Sequence, residues 1–194
     1  MAATLIRRGV LAVLGAALLA ACASAPAPTP EADAGVGSAT AVVTRLFLVR
    51  HGEKETGGED PALTAEGRLR AEALADRLAG EGVTEIWSTH THRTEETAAP
   101  LAARSALAIQ TYDAGTLPAF ATWLLDLPGV KLVVGHSNTT DALAALVGAD
   151  PGPAINDAAE FDRLYVIDID ASGIVRSRIE RYGAEPAVEG KSAQ

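Results

Sequence analysis

The sequence predicts an α/β fold in three layers, in which a mainly parallel sheet is covered by helices on both faces. Short apolar runs typical of buried strands alternate with segments whose apolar residues recur at helical spacing. Strands separated in this way by helices pair in parallel, and the helices then cover both faces. We expect one domain over residues 42–183, because about 140 residues suffice for a single core.

The predicted strands are short and, apart from the last two, are separated by helical segments. A continuous apolar run at 46–49 is typical of a strand buried on both faces, and the last pair reads as a closing hairpin. The strands are predicted at 46–49, 85–89, 107–112, 131–134, 164–169 and 174–182.

Four helices are predicted between these strands. Thr64 is placed to cap the first, and Ser137 or Asn138 to cap the fourth, which runs through Val147. Pro100 lies inside the second, where it either kinks that helix or starts a new one. The apolar stripes of the first and third helices are Ala71, Leu74, Ala75 and Leu78, and Leu117, Phe120, Ala121 and Leu124.

The N-terminus has the features of an export signal. Arg7 and Arg8 precede an apolar run at 9–21, which is shorter than the roughly 20 residues that span a bilayer. The single cysteine, Cys22, ends a segment Leu-Ala-Ala-Cys that resembles the lipobox of bacterial lipoproteins, although an ordinary Ala-x-Ala cleavage site is also present. We expect residues 1–22 to be a signal peptide and the protein to be exported and held on the periplasmic or cell-surface side of a membrane through lipidated Cys22.

Two further segments have a composition that does not build a core. Residues 23–41 are rich in Ala, Pro, Thr and Gly and are expected to form a flexible linker, and residues 184–194 a C-terminal tail. The formal net charge of −9 argues against nucleic acid as a partner, because affinity for that polyanion comes chiefly from lysine and arginine.

All four histidines of the chain directly follow predicted strands. Arg50 and His51 follow the first strand, His90, His92 and Arg93 the second, and His136 the fourth. In folds of this class ligands bind outside the carboxyl ends of the strands. We therefore expect these side chains to meet at one edge of the sheet.

Four segments around these residues resemble the histidine phosphatase superfamily, also called phosphoglycerate mutase-like, and stand in that family's order. They are Arg-His-Gly-Glu at 50–53, Asp-Pro-Ala-Leu-Thr-Ala-Glu-Gly at 60–67, the segment 88–98, and Val-Gly-His-Ser-Asn at 134–138. The resemblance implies the family's α/β fold, no metal or other cofactor, and a phosphohistidine intermediate. It also implies that His51 is the nucleophile and that Arg50, Arg93 and His136 bind the phosphate.

The residue types suit that chemistry. A neutral imidazole offers a nitrogen lone pair, and guanidinium groups offer paired N–H donors for the oxygens on which charge spreads during phosphoryl transfer. His136, near the start of a predicted helix, adds a donor close to the helix N-terminus.

The general acid is less well defined by the sequence. Mutase members carry a glutamate shortly after the third strand, and Asp113 is the positional match, with Asp141 and then Glu53 as rivals. Lys54 stands where the mutases have threonine, and only 42 residues separate Arg93 from His136. Little room remains for segments that would cover the active-site pocket. An open pocket favours hydrolysis over mutase action, which must keep water from the phosphoenzyme.

The sequence therefore predicts a metal-independent phosphomonoester hydrolase acting on a phosphorylated small molecule or a phosphoprotein. One alternative is a membrane-tethered module that binds phosphorylated ligands without turnover. The other is a metal-dependent hydrolase that uses His90 and His92, whose spacing on a strand would place both side chains on one face.

Overall fold

The structure, a computed structural model, describes residues 41–185. The predicted signal peptide with Cys22, the linker through residue 40 and the tail from residue 186 lie outside the described residues. Their predicted roles therefore stay predictions.

Six strands and four α-helices form the described part of the chain. In order they are β1 (Val42–Arg50), α1 (Ala65–Leu78), β2 (Glu85–Ser88), α2 (His92–Ser105), β3 (Ile109–Thr111), α3 (Leu117–Asp126), β4 (Gly129–Gly135), α4 (Ser137–Leu146), β5 (Arg163–Asp170) and β6 (Val175–Arg181). A short 3₁₀ turn, Ala114–Thr116, precedes α3.

The strands form one sheet in the order β3-β2-β4-β1-β5-β6. The first four run parallel, whereas β5 runs antiparallel to β1 and forms a hairpin with β6. The mainly parallel sheet and the closing hairpin are thus confirmed. In the register of β1 and β4, Arg50 lies beside Gly135, and the backbone N–H of His51 donates to the Gly135 carbonyl at 3.0 Å. His51 and His136 consequently leave the sheet at the same edge.

Hydrophobic cores on both faces of the sheet confirm the three layers. Alternate residues of β1 point to opposite faces: Leu46 and Leu48 join the core under α3 and α4, and Phe47 and Val49 join the core under α1 and α2. All four side chains are fully buried, so the strand that carries the candidate nucleophile lies between two packed layers.

The helix ends agree with the sequence in one case and differ in another. Thr64 caps α1, where its hydroxyl accepts from the Gly67 N–H at 3.0 Å. The predicted cap of α4 is wrong, because His136 holds the N-cap position and Ser137 is the first helical residue. Pro100 lies within α2, which continues through it, so no new helix starts there.

None of the helices in residues 41–185 is long and apolar enough to span a membrane.

Candidate active site

The end of β1 places a buried arginine and a buried histidine side by side. Arg50 is 2% exposed and His51 is 3% exposed. Nδ1 of His51 lies 2.7 Å from the carbonyl oxygen of Gly52. A carbonyl only accepts hydrogen bonds, so Nδ1 carries the proton in the neutral ring and the lone pair is on Nε2. The backbone next to His51 thus selects the tautomer in which Nε2 is the nucleophilic nitrogen.

Burial keeps this imidazole neutral. Desolvation, helped by the positive charge of Arg50, lowers the pKa of His51 to about 3, although the hydrogen bond to Gly52 acts in the opposite direction. A neutral imidazole at physiological pH is the form that can attack phosphorus.

Arg50 is held by the irregular loop between α4 and β5. Its Nη1 donates to the carbonyls of Asn156 and Glu160 at 3.3 and 3.1 Å, and its Nη2 contacts the carboxylate of Asp157 at 2.8 Å. The ring of Phe161 lies against the guanidinium, with 4.1 Å from Cζ to the ring centroid. These contacts fix the guanidinium beside His51.

A second arginine approaches the site from the first turn of α2. Nη1 of Arg93 lies 3.3 Å from a carboxylate oxygen of Asp60, which also accepts from the backbone N–H of His92. The Nε atoms of both Arg93 and Arg50 are buried and have no hydrogen-bond partner among residues 41–185. Buried donors without partners are costly. These two N–H groups therefore mark a place where the oxygens of an anion would accept hydrogen bonds.

His136 lies across from His51 at the N-cap of α4. The two ring centroids are 5.4 Å apart, and Nε2 of His136 is 3.0 Å from the hydroxyl of Thr89. Burial lowers the pKa of His136 to about 4, helped by the positive charges of Arg93 and Arg50. The site therefore contains two neutral imidazoles, two guanidinium groups and a helix N-terminus, all of which favour an anionic ligand.

The loop after β1 packs tightly on the start of α1. A Cβ atom added to Gly67 would lie 2.2 Å from the carbonyl oxygen of Glu53, and one added to Gly52 would lie 2.9 Å from the carbonyl oxygen of Gly67. The two backbones touch because both residues are glycine. This contact fixes the chain directly after His51.

The three candidate acids lie in different surroundings. Asp113 is exposed, and its Oδ1 accepts from the Gly115 N–H at 2.8 Å. The sequence predicts Asp141 in the turn after His136, but it lies inside α4. Glu53 is bound by Arg70 in an ion pair, with 2.9 Å from Nε to each carboxylate oxygen.

The metal alternative assumed that His90 and His92 lie on a strand, but neither residue does. His90 lies in the turn after β2, where its Nδ1 pairs with Glu95 at 2.8 Å, and His92 begins α2. Within residues 41–185 no group of three or more His, Cys, Asp or Glu side chains is arranged to hold a metal ion. The metal-dependent alternative therefore has no ligand cluster in the part of the chain that the structure describes.

Two contacts of the site were missed by the sequence analysis. Asp157 binds Arg50 and also accepts from the Ser137 hydroxyl at 2.5 Å. Phe161 stacks on the same arginine. Both residues lie in a loop without strand or helix periodicity, so no sequence pattern pointed to them. Asp60 stood within the quoted motif but had no assigned role.

The fold and these contacts define an α/β protein with a cluster of histidine and arginine side chains at the carboxyl edge of its sheet. Residues 46–114 match the model of the histidine phosphatase superfamily, branch 1. This match to the histidine phosphatase superfamily spans about a third of the chain and includes Arg50, His51 and Arg93. It is also 41% identical over 75 residues to Rv0525, an uncharacterised protein of Mycobacterium tuberculosis, and this match spans 35% of the chain and 37% of that relative.

Solved structures share the fold. A protein histidine phosphatase, SixA, complexed with tungstate is 18% identical, with a TM-score of 0.56 over 71% of this chain and 96% of that one. A mycobacterial glucosyl-3-phosphoglycerate phosphatase is also 18% identical, with a TM-score of 0.55 over 73% and 99%. A phosphoserine phosphatase of Entamoeba histolytica in complex with 3-phosphoglyceric acid is 16% identical, with a TM-score of 0.51 over 73% and 97%. At these identities the similarity shows the fold alone.

Proposed function

We propose that the protein is a metal-independent phosphomonoester hydrolase that forms a phosphohistidine at His51. The observation that carries the proposal is a neutral imidazole with its lone pair on Nε2, next to two buried arginine Nε–H groups that lack partners among the described residues. The match of residues 46–114 to the model of the histidine phosphatase superfamily supports it. The solved relatives named above are themselves phosphatases.

The first step transfers the phosphoryl group to the enzyme. Nε2 of His51 attacks phosphorus, the N–P bond forms and the P–O bond of the ester breaks. Arg50 and Arg93 donate to the non-bridging oxygens, and His136 and the N-terminus of α4 add to the stabilisation of the developing charge. Two guanidinium groups thus supply charge compensation from the protein itself.

The second step releases phosphate. Asp113, the predicted acid, gives its proton to the leaving oxygen in the first step and then takes one from the water that attacks phosphorus. The N–P bond breaks and His51 returns to its neutral form. Asp113 and His136 line one cavity, which supports this role. Substrates of the proposed enzyme are phosphorylated small molecules or phosphoproteins.

Hydrolysis of p-nitrophenyl phosphate by the full-length protein, with and without EDTA, tests the proposal. We expect turnover that resists the chelator and is lost in His51→Ala, because no other group replaces the nucleophile. Trapping of acid-labile phosphate on the wild-type protein but not on His51→Ala would identify the intermediate. Turnover that EDTA abolishes, or that survives in His51→Ala, would contradict the proposal.

A binding module without turnover is the second candidate. It is favoured by one observation, the exposure of Asp113, whose carboxylate is held only by the local turn among the described residues. Binding of the phosphate ester to wild-type protein without release of phosphate would support this candidate.

We propose in addition that the protein is exported and anchored through lipidated Cys22. The basic residues, the short apolar run and the single cysteine of the N-terminus support this proposal. Mass spectrometry of the mature protein tests it: a lipid-modified Cys22 at the N-terminus is expected, and an unmodified start at Ala23 or Ala25 would contradict it.

A further inference from the structure

A cavity of about 570 Å³ opens beside the candidate active site. It lies between the loop that follows β2 and the loop that follows β3, and its volume is in the range of small-molecule sites. His136 and Thr89 line this cavity and are hydrogen-bonded to each other at 3.0 Å. Since His136 also contacts His51, the cavity continues the site where phosphate would bind.

The lining of the cavity combines apolar and polar residues. Thr89, Thr91, Thr111 and Asp113 line it together with Tyr112 and Ala114. Among the described residues that line it, none is a lysine or an arginine. The positive groups of the site, Arg50 and Arg93, are absent from this lining and belong to the phosphate position.

His90 adds an imidazole to the lining, and this imidazole is hydrogen-bonded to a carboxylate. Its ring lines the cavity, and Nδ1 pairs with the carboxylate of Glu95 at 2.8 Å. The cavity therefore has two carboxylates in or directly behind its wall, from Asp113 and Glu95. An anionic group placed here would lose water without meeting a cationic side chain of the lining, whereas a hydroxyl or ammonium group would find acceptors.

We propose that this cavity is the leaving-group subsite of the phosphatase and that it selects hydroxylated or cationic leaving groups over anionic ones. The inference rests on the proposed function. It assigns Asp113, His90 and Thr111 to contacts with the part of the substrate that departs as an alcohol. Esters whose alcohol carries a carboxylate or a second phosphate are disfavoured by the same contacts.

Three phosphate esters that differ in the charge of the leaving group test the proposal on the full-length protein. Glycerol 1-phosphate has a neutral leaving group, phosphocholine a cationic one and 3-phosphoglycerate an anionic one. We expect kcat/KM for the first two to exceed that for 3-phosphoglycerate by about tenfold, the effect of one unit charge at short range in a partly screened site. Equal values, or a preference for 3-phosphoglycerate, would overturn the proposal.

A charge introduced into the cavity provides the matched test. Thr111 is the exposed last residue of β3, so Thr111→Lys places an ammonium in the cavity without disturbing the core. We expect the ratio of kcat/KM for 3-phosphoglycerate to that for glycerol 1-phosphate to rise by about tenfold. Thr122→Lys, on the exposed side of α3, adds the same charge outside the cavity and should leave the ratio unchanged. A similar change in both variants would overturn the subsite, because the effect would then come from net charge.

Binding separates the subsite from the proposed function. The same esters are titrated calorimetrically into His51→Ala, where no phosphoryl transfer can occur. If the wild-type protein hydrolyses none of the esters, including p-nitrophenyl phosphate, the proposed function fails. Weaker binding of 3-phosphoglycerate than of glycerol 1-phosphate would still support the subsite, and the reverse order would overturn it.

Discussion

At the residue scale, the contacts of Asp157 most change the description of the candidate phosphate site. Its carboxylate lies on Nη2 of Arg50 and on the hydroxyl of Ser137, although its side chain is 78% exposed. The hydrogen bond from Ser137 and the charge of Arg50 lower the pKa of Asp157, so it is an anion at neutral pH. A bound phosphate must therefore share Arg50 with a carboxylate.

Replacing Asp157 by asparagine should increase the affinity for inorganic phosphate. The substitution removes a negative charge next to the anion site, and the carbonyls of Asn156 and Glu160 still hold the guanidinium. Because the pair is partly exposed, we expect a change of about two- to fivefold in the inhibition constant of phosphate. Asp150→Asn is the control, because Asp150 lies in the same loop and its carboxylate accepts only from the Gly152 N–H among the described residues. Weaker phosphate binding in Asp157→Asn would show that the carboxylate chiefly positions Arg50.

Single substitutions also distinguish the candidates for the general acid, Asp113 and Asp141. Asp113→Asn should lower kcat about 100-fold for an alkyl phosphate and much less for p-nitrophenyl phosphate, whose leaving group needs little protonation. Asp141→Asn is the matched control, because Asp141 lies within α4. If Asp141→Asn shows the larger loss on the alkyl ester, the acid has been misassigned.

Site residues at strand ends could be predicted from the sequence, whereas site residues in the loop between α4 and β5 could not. Arg50, His51 and His136 were found because parallel strands bring their carboxyl ends to one edge. Asp157 reaches Arg50 across 107 positions from a segment without periodicity. Such a contact depends on the path of the loop, which no local pattern determines.

At the scale of elements, the contact between α1 and the loop after β1 controls the position of His51, the candidate nucleophile. Gly67→Ala would bring a methyl group against the carbonyl of Glu53, so one of the two segments must move. We expect the free energy of unfolding to fall by about 1–3 kcal/mol, despite the better helix propensity of alanine. Glu66→Ala, at the preceding exposed position, is the control, and chemical denaturation measures both. A Gly67→Ala variant as stable as the wild type would show that the loop adapts freely.

Element types followed from the sequence more reliably than element ends. The predicted strand 107–112 is only Ile109–Thr111, because β3 pairs with β2 alone at the edge of the sheet. Pro100 lacks an N–H and was expected to disturb α2. The helix nevertheless continues, because it is buried both before Pro100, at Thr94 and Ala98, and after it, at Leu101. Tertiary packing overrides the local preference here.

At the scale of the whole molecule, two buried neutral histidines make stability depend on pH. The pKa values of His51 and His136 are lowered to about 3 and about 4, against an ordinary value near 6.5 in the unfolded chain. Between these values the unfolded state binds more protons, so stability is fully present above pH 6.5 and falls as the pH drops toward 4.

Denaturation across this pH range measures the effect. Each histidine should contribute a slope of up to about 1.4 kcal/mol per pH unit, and His51→Gln should remove one such contribution. His90→Gln, which also removes one imidazole but at a side chain that is 84% exposed, is the control. Identical slopes for the wild type and His51→Gln would contradict the prediction.

The order of the strands also has a consequence for the time at which the candidate active site forms. β4 is the last parallel strand in the chain, yet it lies between β2 and β1 and joins them into one sheet. A nascent chain ending before residue 129 already contains Arg50 and His51, but β1 has neither its parallel neighbour nor the Gly135 carbonyl that accepts from the His51 backbone. Pairing of strands so distant in sequence is a slow step in folding. The imidazole of His51 is therefore synthesised early, and its surroundings in the candidate site form only when folding is nearly complete.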